Sequence, residues 1–270
     1  MSAAEAPPTA VPPDVRSTPE SSRFGAWDAL LYAVTVFGWS TSWIAMKAQV
    51  VAQVAPEASL LWRFLIAATI MWGWVIAARL PTRFPLRTHV LFAAMGFFIF
   101  SMNFDLFYHG ARDLPSGLLS VVFSLASVIN LLMGRVIFGQ RISTRVLVGG
   151  LLGFAGVGAM FWPRIQAAGL GPEAAGGLLL CVLGTSFFCT GNMLSSVAQK
   201  RGASVVAASA WGMTWGVVWL ALPIAVGGVR LDFDPSVTYV ASLLWLAVVS
   251  SVAAFWAYLT LLGRIGAARA

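Results

Sequence analysis

The sequence predicts an all-α membrane protein with two inverted repeats of five transmembrane helices, the second represented only by its first three. Composition, the spacing of the apolar runs and the placement of basic residues carry that expectation. Of the 270 residues, 59% are hydrophobic and only 10% charged, with a mean hydropathy of +0.83. Soluble domains carry roughly 25% charged residues, so a water-soluble core of this size is excluded. Apolar runs begin near Trp27, Ala58, His89, Pro115, Arg145, Ala175, Ser204 and Thr238. Each is long enough for the ~20 helical residues that cross a hydrocarbon layer, and none shows the period-two alternation of a barrel strand. Pairing runs one to three with runs six to eight needs shifts of about 148, 146 and 149 residues. A nearly constant shift suggests a duplicated five-span unit, and an odd number of spans forces the two copies to cross in opposite senses. The letters themselves repeat only faintly: FDLFYHGARDLPSGLL from Phe104 lies against FWAYLTLLGRIGAARA from Phe255 with one identity.

In chain order, Met1–Ser22 is rich in Pro, Ala and Ser, lacks the apolar core of a signal peptide, and reads as a disordered cytoplasmic tail. The first repeat occupies residues 23–163 and the second 174–270. Span one sets Trp39, Trp43 and Met46 on one face with Ser42 adjoining. Span two carries Arg63 about one and a half turns from its start. In span three Phe97, Ser101, Phe104, Asp105 and Tyr108 share a stripe. Ser116, Ser120, Ser124 and Ser127 of span four read as a packing seam, and Gly149, Gly153 and Gly156 of span five as a close-packing face. Span six places Asn192, Ser195, Ser196 and Gln199 together. Trp27, Trp72, Trp74 and Trp162 fall near interfaces as belt anchors, whereas Trp39, Trp43, Trp211, Trp215 and Trp256 lie deeper. Rings mixed with Ser, Asn and Tyr suit a small amphipathic organic molecule better than a bare ion.

Basic residues orient the bundle. Arg16, Arg23, Arg79, Arg83, Arg87, Arg135, Arg141, Arg145, Lys200, Arg201, Arg264 and Arg269 share one side; the other holds Lys47, Arg112, Arg164 and Arg230 with several acids. The positive-inside rule then puts the N-terminus in the cytoplasm. The same distribution explains the pI near 10.3 without nucleic acid. Within the spans, Arg63, Lys47 and Asp105 fall in the outer third. A charge at the bilayer centre costs roughly 2.5–3.5 kcal/mol on insertion scales, less near the edge, so Asp105 is expected to pair with Arg63 or Lys47. Such a pair would serve as a structural tie, or as an outer gate or a subsite for a charged substrate group, with simple snorkelling as the remaining reading. A titrating Asp105 would also couple transport to protons.

Enzyme chemistry finds little support. Cys181 and Cys189 lie about 12 Å apart along one helix, too far for a disulfide. His89 and His109 sit at opposite ends of span three and cannot share a metal. There is no HExxH, P-loop or nucleophile elbow. An intramembrane enzyme would have only Asp105 with His109 to work with. A non-transporting scaffold would predict aliphatic packing rather than polar stripes.

GWSTSWIAMK in span one, PEASLLWRFLIAA opening span two, FYHGARDLPSGL at spans three and four and LGRIGAARA at the end resemble the EamA-type group of the drug/metabolite transporter superfamily. The resemblance implies ten helices in two inverted five-helix repeats, both termini cytoplasmic, and a central cavity worked by alternating access in a bacterial inner membrane. It implies export of amino acids, aromatic and other neutral ones, or related metabolites. Helices nine and ten are expected to be absent from these 270 residues. With the stripes, the resemblance points to Trp39, Ser42, Trp43, Asn103, Tyr108, Asn192 and Trp256 as substrate lining, and to Lys47, Arg63 and Asp105 as gate or ion pair. No catalytic residue, metal or cofactor is expected. The expected partners are a small-molecule substrate and the lipid bilayer, with a monomer as the working state.

Overall fold

A computed structural model describes residues 25–52, 54–139, 144–168 and 172–265. The expected tail, Met1–Ser22, and the basic positions Arg16, Arg23, Arg141 and Arg269 lie outside the described residues. Among the described residues, eight helical passes follow one another, each starting within three residues of its expected position: α1 (Ala26–Val51), α2 (Pro56–Ala77), α3, α4 (Ser116–Phe138), α5 (Thr144–Ala168), α6 (Pro172–Lys200), α7 (Val205–Ala225) and α8. Helix α3 runs as Leu86–Phe97, widens into π geometry over Phe98–Met102 and continues as Asn103–Asp113. Helix α8 runs as Val237–Leu244, has a π stretch over Trp245–Ala254 and ends as Phe255–Ile265. Helices α1 to α4 and α6 to α8 are each long and apolar enough to cross a membrane. The protein is an all-α, multi-pass membrane protein.

Local chemistry sets the helix ends. Gly25 N–H donates to Asp28 Oδ2 at 3.1 Å, so the first turn of α1 closes on its own acid. Pro56 opens α2 at a position where no N–H is missed. Ser204 and Ser236 cap α7 and α8, accepting from Ala207 N at 3.2 Å and Tyr239 N at 3.3 Å. Helix α4 stops at Gly139, whose φ of +64° is left-handed and favours glycine.

Helix α1 packs along α8 and α6 along α3; α2 packs on α7; α3 also meets α7, and α2 meets α8. Exchanging α1–α3 with α6–α8 maps this set of pairings onto itself. Both π stretches lie at matching places in α3 and α8, and each is met by a glycine of its partner. A Cβ on Gly191 of α6 would come within 2.5 Å of Ile99 Cβ, and one on Gly38 of α1 within 2.8 Å of Ala254 Cβ. These crossings are closer than any larger residue permits.

The bundle presents apolar side chains outward and buries a set of polar groups within a largely apolar core. Asn103, Asn130, Thr185, Asn192 and Ser195 are buried, while Ile44, Ile76, Val90, Leu152 and Val226 face outward. The small-residue face of α5 departs from expectation. Gly149, Gly153 and Gly156 are exposed, and a Cβ on any of them would touch nothing within 4 Å. The close-packing glycines lie instead on α1, α3, α6, α7 and α8.

Candidate functional site

Arg63 lies at the centre of the site. Helix α2 presents it toward the π stretch of α8, where Nε donates to Ser251 Oγ at 2.8 Å and Nη2 to Ser250 Oγ at 3.3 Å. Its guanidinium carbon sits 4.3 Å from the centroid of the Phe104 ring and 5.4 Å from that of Phe64, within cation–π range. The side chain is 1% exposed. The backbone carbonyl of Ser250 accepts from Trp39 Nε1 at 3.4 Å, which ties α1 to the same turn of α8.

Two cavities meet here. A chamber of about 40 Å³ is bounded by Ser42, Met46, Arg63, Asn103, Phe104 and Ser250, with Trp39, Trp43, Phe123 and Phe188 on its other side. Those last four residues also border a groove of about 900 Å³ that runs between α1 and α4 and is lined by Ser116, Ser120, Ser124, Ser127, Asn130 and Tyr258. They form one aromatic wall with a face on each space. Trp39 lies 5.9 Å from Phe123 and 5.6 Å from Phe188, and Trp43 lies 5.4 Å from Phe123, centroid to centroid.

A buried amide–phenol network stiffens the groove. Tyr258 Oη accepts from Asn192 Nδ2 at 3.0 Å and from Asn130 Nδ2 at 3.3 Å, while Asn192 Nδ2 also reaches Asn130 Oδ1 at 3.4 Å. Tyr258, Phe255 and Trp39 continue the ring network, with Trp39 4.8 Å from Tyr258 and 5.1 Å from Phe255.

Of the residues expected to line a substrate space, Trp39, Ser42, Trp43 and Asn103 border the chamber. Asn192 is wholly buried behind the wall and positions Tyr258. Tyr108 is also buried and donates to Gln49 Oε1 at 2.5 Å, beside a separate cavity of about 530 Å³ that Lys47 and Arg112 share. Trp256 belongs to neither cavity's wall. It packs against Trp74 at 5.2 Å and Trp27 at 6.2 Å, among the rings expected at one interface. Residues 256 and 258 differ by about 200° around a helix, so the side of α8 that faces the groove presents Tyr258 and turns Trp256 away.

The expected ion pair does not form. Asp105 Oδ1 lies 3.6 Å from His109 Nδ1, and His109 Nε2 lies 3.9 Å from Glu57 Oε1. Lys47 Nζ donates to the carbonyls of Ala111 and Leu114. The reason is azimuthal: Phe104 occupies the side of α3 that faces Arg63, and Asp105 sits about 100° farther round. Glu57, Asp105 and His109 bring donor atoms within 4.8 Å of one another, the one grouping of metal-ligand type among the described residues.

Sequence reasoning passed over Asn130, Tyr258, Phe123 and Phe188. Asn130 had a signal, as the one amide in a span of aliphatics and serines. The serines read as a packing seam border the groove instead, with Ser120, Ser124 and Ser127 donating to carbonyls three residues back. Small residues serve a seam and an open wall equally well.

The arrangement can bind a small molecule between rings and polar groups. The model of the EamA-like transporter family matches residues 26–162. No curated protein sequence matches the chain. A solved structure titled only "Crystal structure of protein" superposes with a TM-score of 0.68 at 17% identity, covering 86% of this chain and 77% of the other, a likeness of fold alone. The match over half the chain places it: this protein belongs to the EamA-like transporter family, membrane transporters of the drug/metabolite type.

Proposed function

We propose that the protein exports amino acids, aromatic and other neutral ones, and related small metabolites across a bacterial inner membrane by alternating access, with its N-terminus cytoplasmic. The observation that carries this reading is the aromatic wall shared by a polar chamber and a wide, serine-lined groove. Rings cover the apolar part of an amphipathic solute, while hydroxyls, amides and one cation fix its orientation. The Trp-rich first span and the Pro/Ala-rich segment before it look most like those of bacterial exporters of aromatic amino acids.

Two further features support the mechanism. The exchange of α1–α3 with α6–α8 that preserves the helix pairings fits two inverted repeats, 23–163 and 174–270, rocking about a site between them. The concentration of arginine and lysine on one side fits a cytoplasmic N-terminus. Substrate gradients or a coupled ion supply the drive.

Counterflow in proteoliposomes against a panel of amino acids, nucleosides and cationic drugs tests the proposal. Saturable exchange of phenylalanine and other neutral amino acids is expected. Exchange confined to nucleosides or cations, or none across the whole panel, defeats it.

A further inference from the structure

We propose that Arg63 is a recognition site for the substrate's carboxylate, making the transported class organic acids and amino acids rather than amines; this rests on the transport reading above. A guanidinium buried inside a membrane bundle carries a large desolvation cost that a counter-ion normally offsets. Among the described residues, no carboxylate lies within ion-pair distance of Arg63. Its partners are neutral: the faces of Phe64 and Phe104, the nearby Tyr108 hydroxyl, and two serine hydroxyls. The serine hydroxyls engage two of the five donors in a guanidinium fork, whose planar geometry matches a carboxylate. The three acids that could have neutralised it lie elsewhere. Asp105 and Glu57 flank His109, and Asp28 holds Arg264.

The surroundings specify the remainder of the ligand. Arg63 borders a chamber of about 40 Å³. A single water needs roughly 10–15 Å³ on the same measure, so the chamber has room for a small polar group such as a carboxylate. Across the wall of Trp39, Trp43, Phe123 and Phe188 lies the 900 Å³ groove. A ligand anchored by its carboxylate places its side chain against that wall, and rotation of the rings carries it from one space to the other. Ser250 and Ser251 act as positioning residues, holding the guanidinium plane in place for the anion.

The test measures tryptophan-fluorescence quenching of the purified full chain in detergent by three probes: 3-phenylpropionate, which keeps only the carboxylate; phenylethylamine, which keeps only the amine; and L-phenylalanine. The wild type is expected to bind 3-phenylpropionate and L-phenylalanine about 30-fold more tightly than phenylethylamine, the discrimination a buried, hydrogen-bonded charge contact supplies. Arg63→Gln should bring all three within about threefold while melting no lower than the wild type, because the variant no longer buries an uncompensated charge. Arg63→Lys keeps the charge without the fork and retains about a third of the preference, roughly tenfold. Where Arg63→Gln yields no folded protein, Arg63→Lys carries the test. An undiminished preference in either folded variant, or a wild type that binds amine and carboxylate alike or binds no 3-phenylpropionate, overturns the proposal. Carboxylate binding without counterflow sinks the transport reading and keeps the site; counterflow without carboxylate preference does the reverse.

Discussion

Arg63 and Arg264 both reach from one spanning helix toward another, and they end in opposite surroundings. Arg264 Nε donates to Asp28 Oδ1 at 2.6 Å, and the second oxygen of that buried carboxylate accepts from Gly25 N–H, so one acid caps α1 and ties it to the end of α8. The arginine itself remains 45% exposed and can be solvated along its outer side. Arg63 has no water-facing side and neutral partners only. A paired charge at a helix end fastens two helices together. A cation held deep by hydroxyls and rings does less for stability than an apolar residue of its volume would, and its value lies in what it can still attract.

Substitutions can break that comparison or sharpen it. Arg63→Glu has the largest expected effect. It buries an anion against Phe64 and Phe104, costs several kcal/mol, and repels the ligand's carboxylate. A sharply lower melting temperature with complete loss of 3-phenylpropionate quenching is expected, and retained binding would show that Arg63 does not face the ligand. Asp28→Asn comes next: the α1–α8 tie weakens and melting falls by a few degrees. Carboxylate preference stays as it was, and a change in it would mean that the two arginines are not separate in function. Trp39→Ala joins chamber to groove and should alter selectivity among phenylalanine, leucine and alanine by roughly tenfold, as a lost aromatic contact does; unchanged counterflow constants would remove Trp39 from the lining. The smallest effect is that of Asp105→Asn. Since Asp105 faces His109, carboxylate affinity should stay within about twofold, whereas a large gain would indicate that Asp105 competes for Arg63.

What was legible in the sequence is set by the range of the forces involved. Span positions follow from twenty-residue averages of hydropathy, and α1 to α8 begin within three residues of the expected starts. Arg63 was legible as an anomaly because one charge stands out in an apolar run. Its partners were not, because they depend on which face each helix turns inward, and the 100° between Phe104 and Asp105 decides between a ring and a salt bridge. Tyr258 and Trp256 show the same limit. The π stretches were also hidden, since FIFSM and WLAVVSSVAA are as apolar as their helical neighbours, and the close approach of α6 and α1 to them is a tertiary contact. Gly149, Gly153 and Gly156 carry the pattern of a tight crossing and sit on an exposed face, so small-residue spacing permits close approach without requiring it.

The π stretch of α8 has a consequence in genetic terms. A π turn closes its hydrogen-bonded ring over one residue more than an α turn. Deleting a single residue between Trp245 and Ser250 can therefore be absorbed by tightening the helix, leaving Ser250, Ser251 and Tyr258 on their present faces. The same deletion in α7, which has no such reserve, turns every following side chain by about 100°. Single-residue length changes should be tolerated in α8 at the segment that holds Arg63 and rejected in the regular helix beside it.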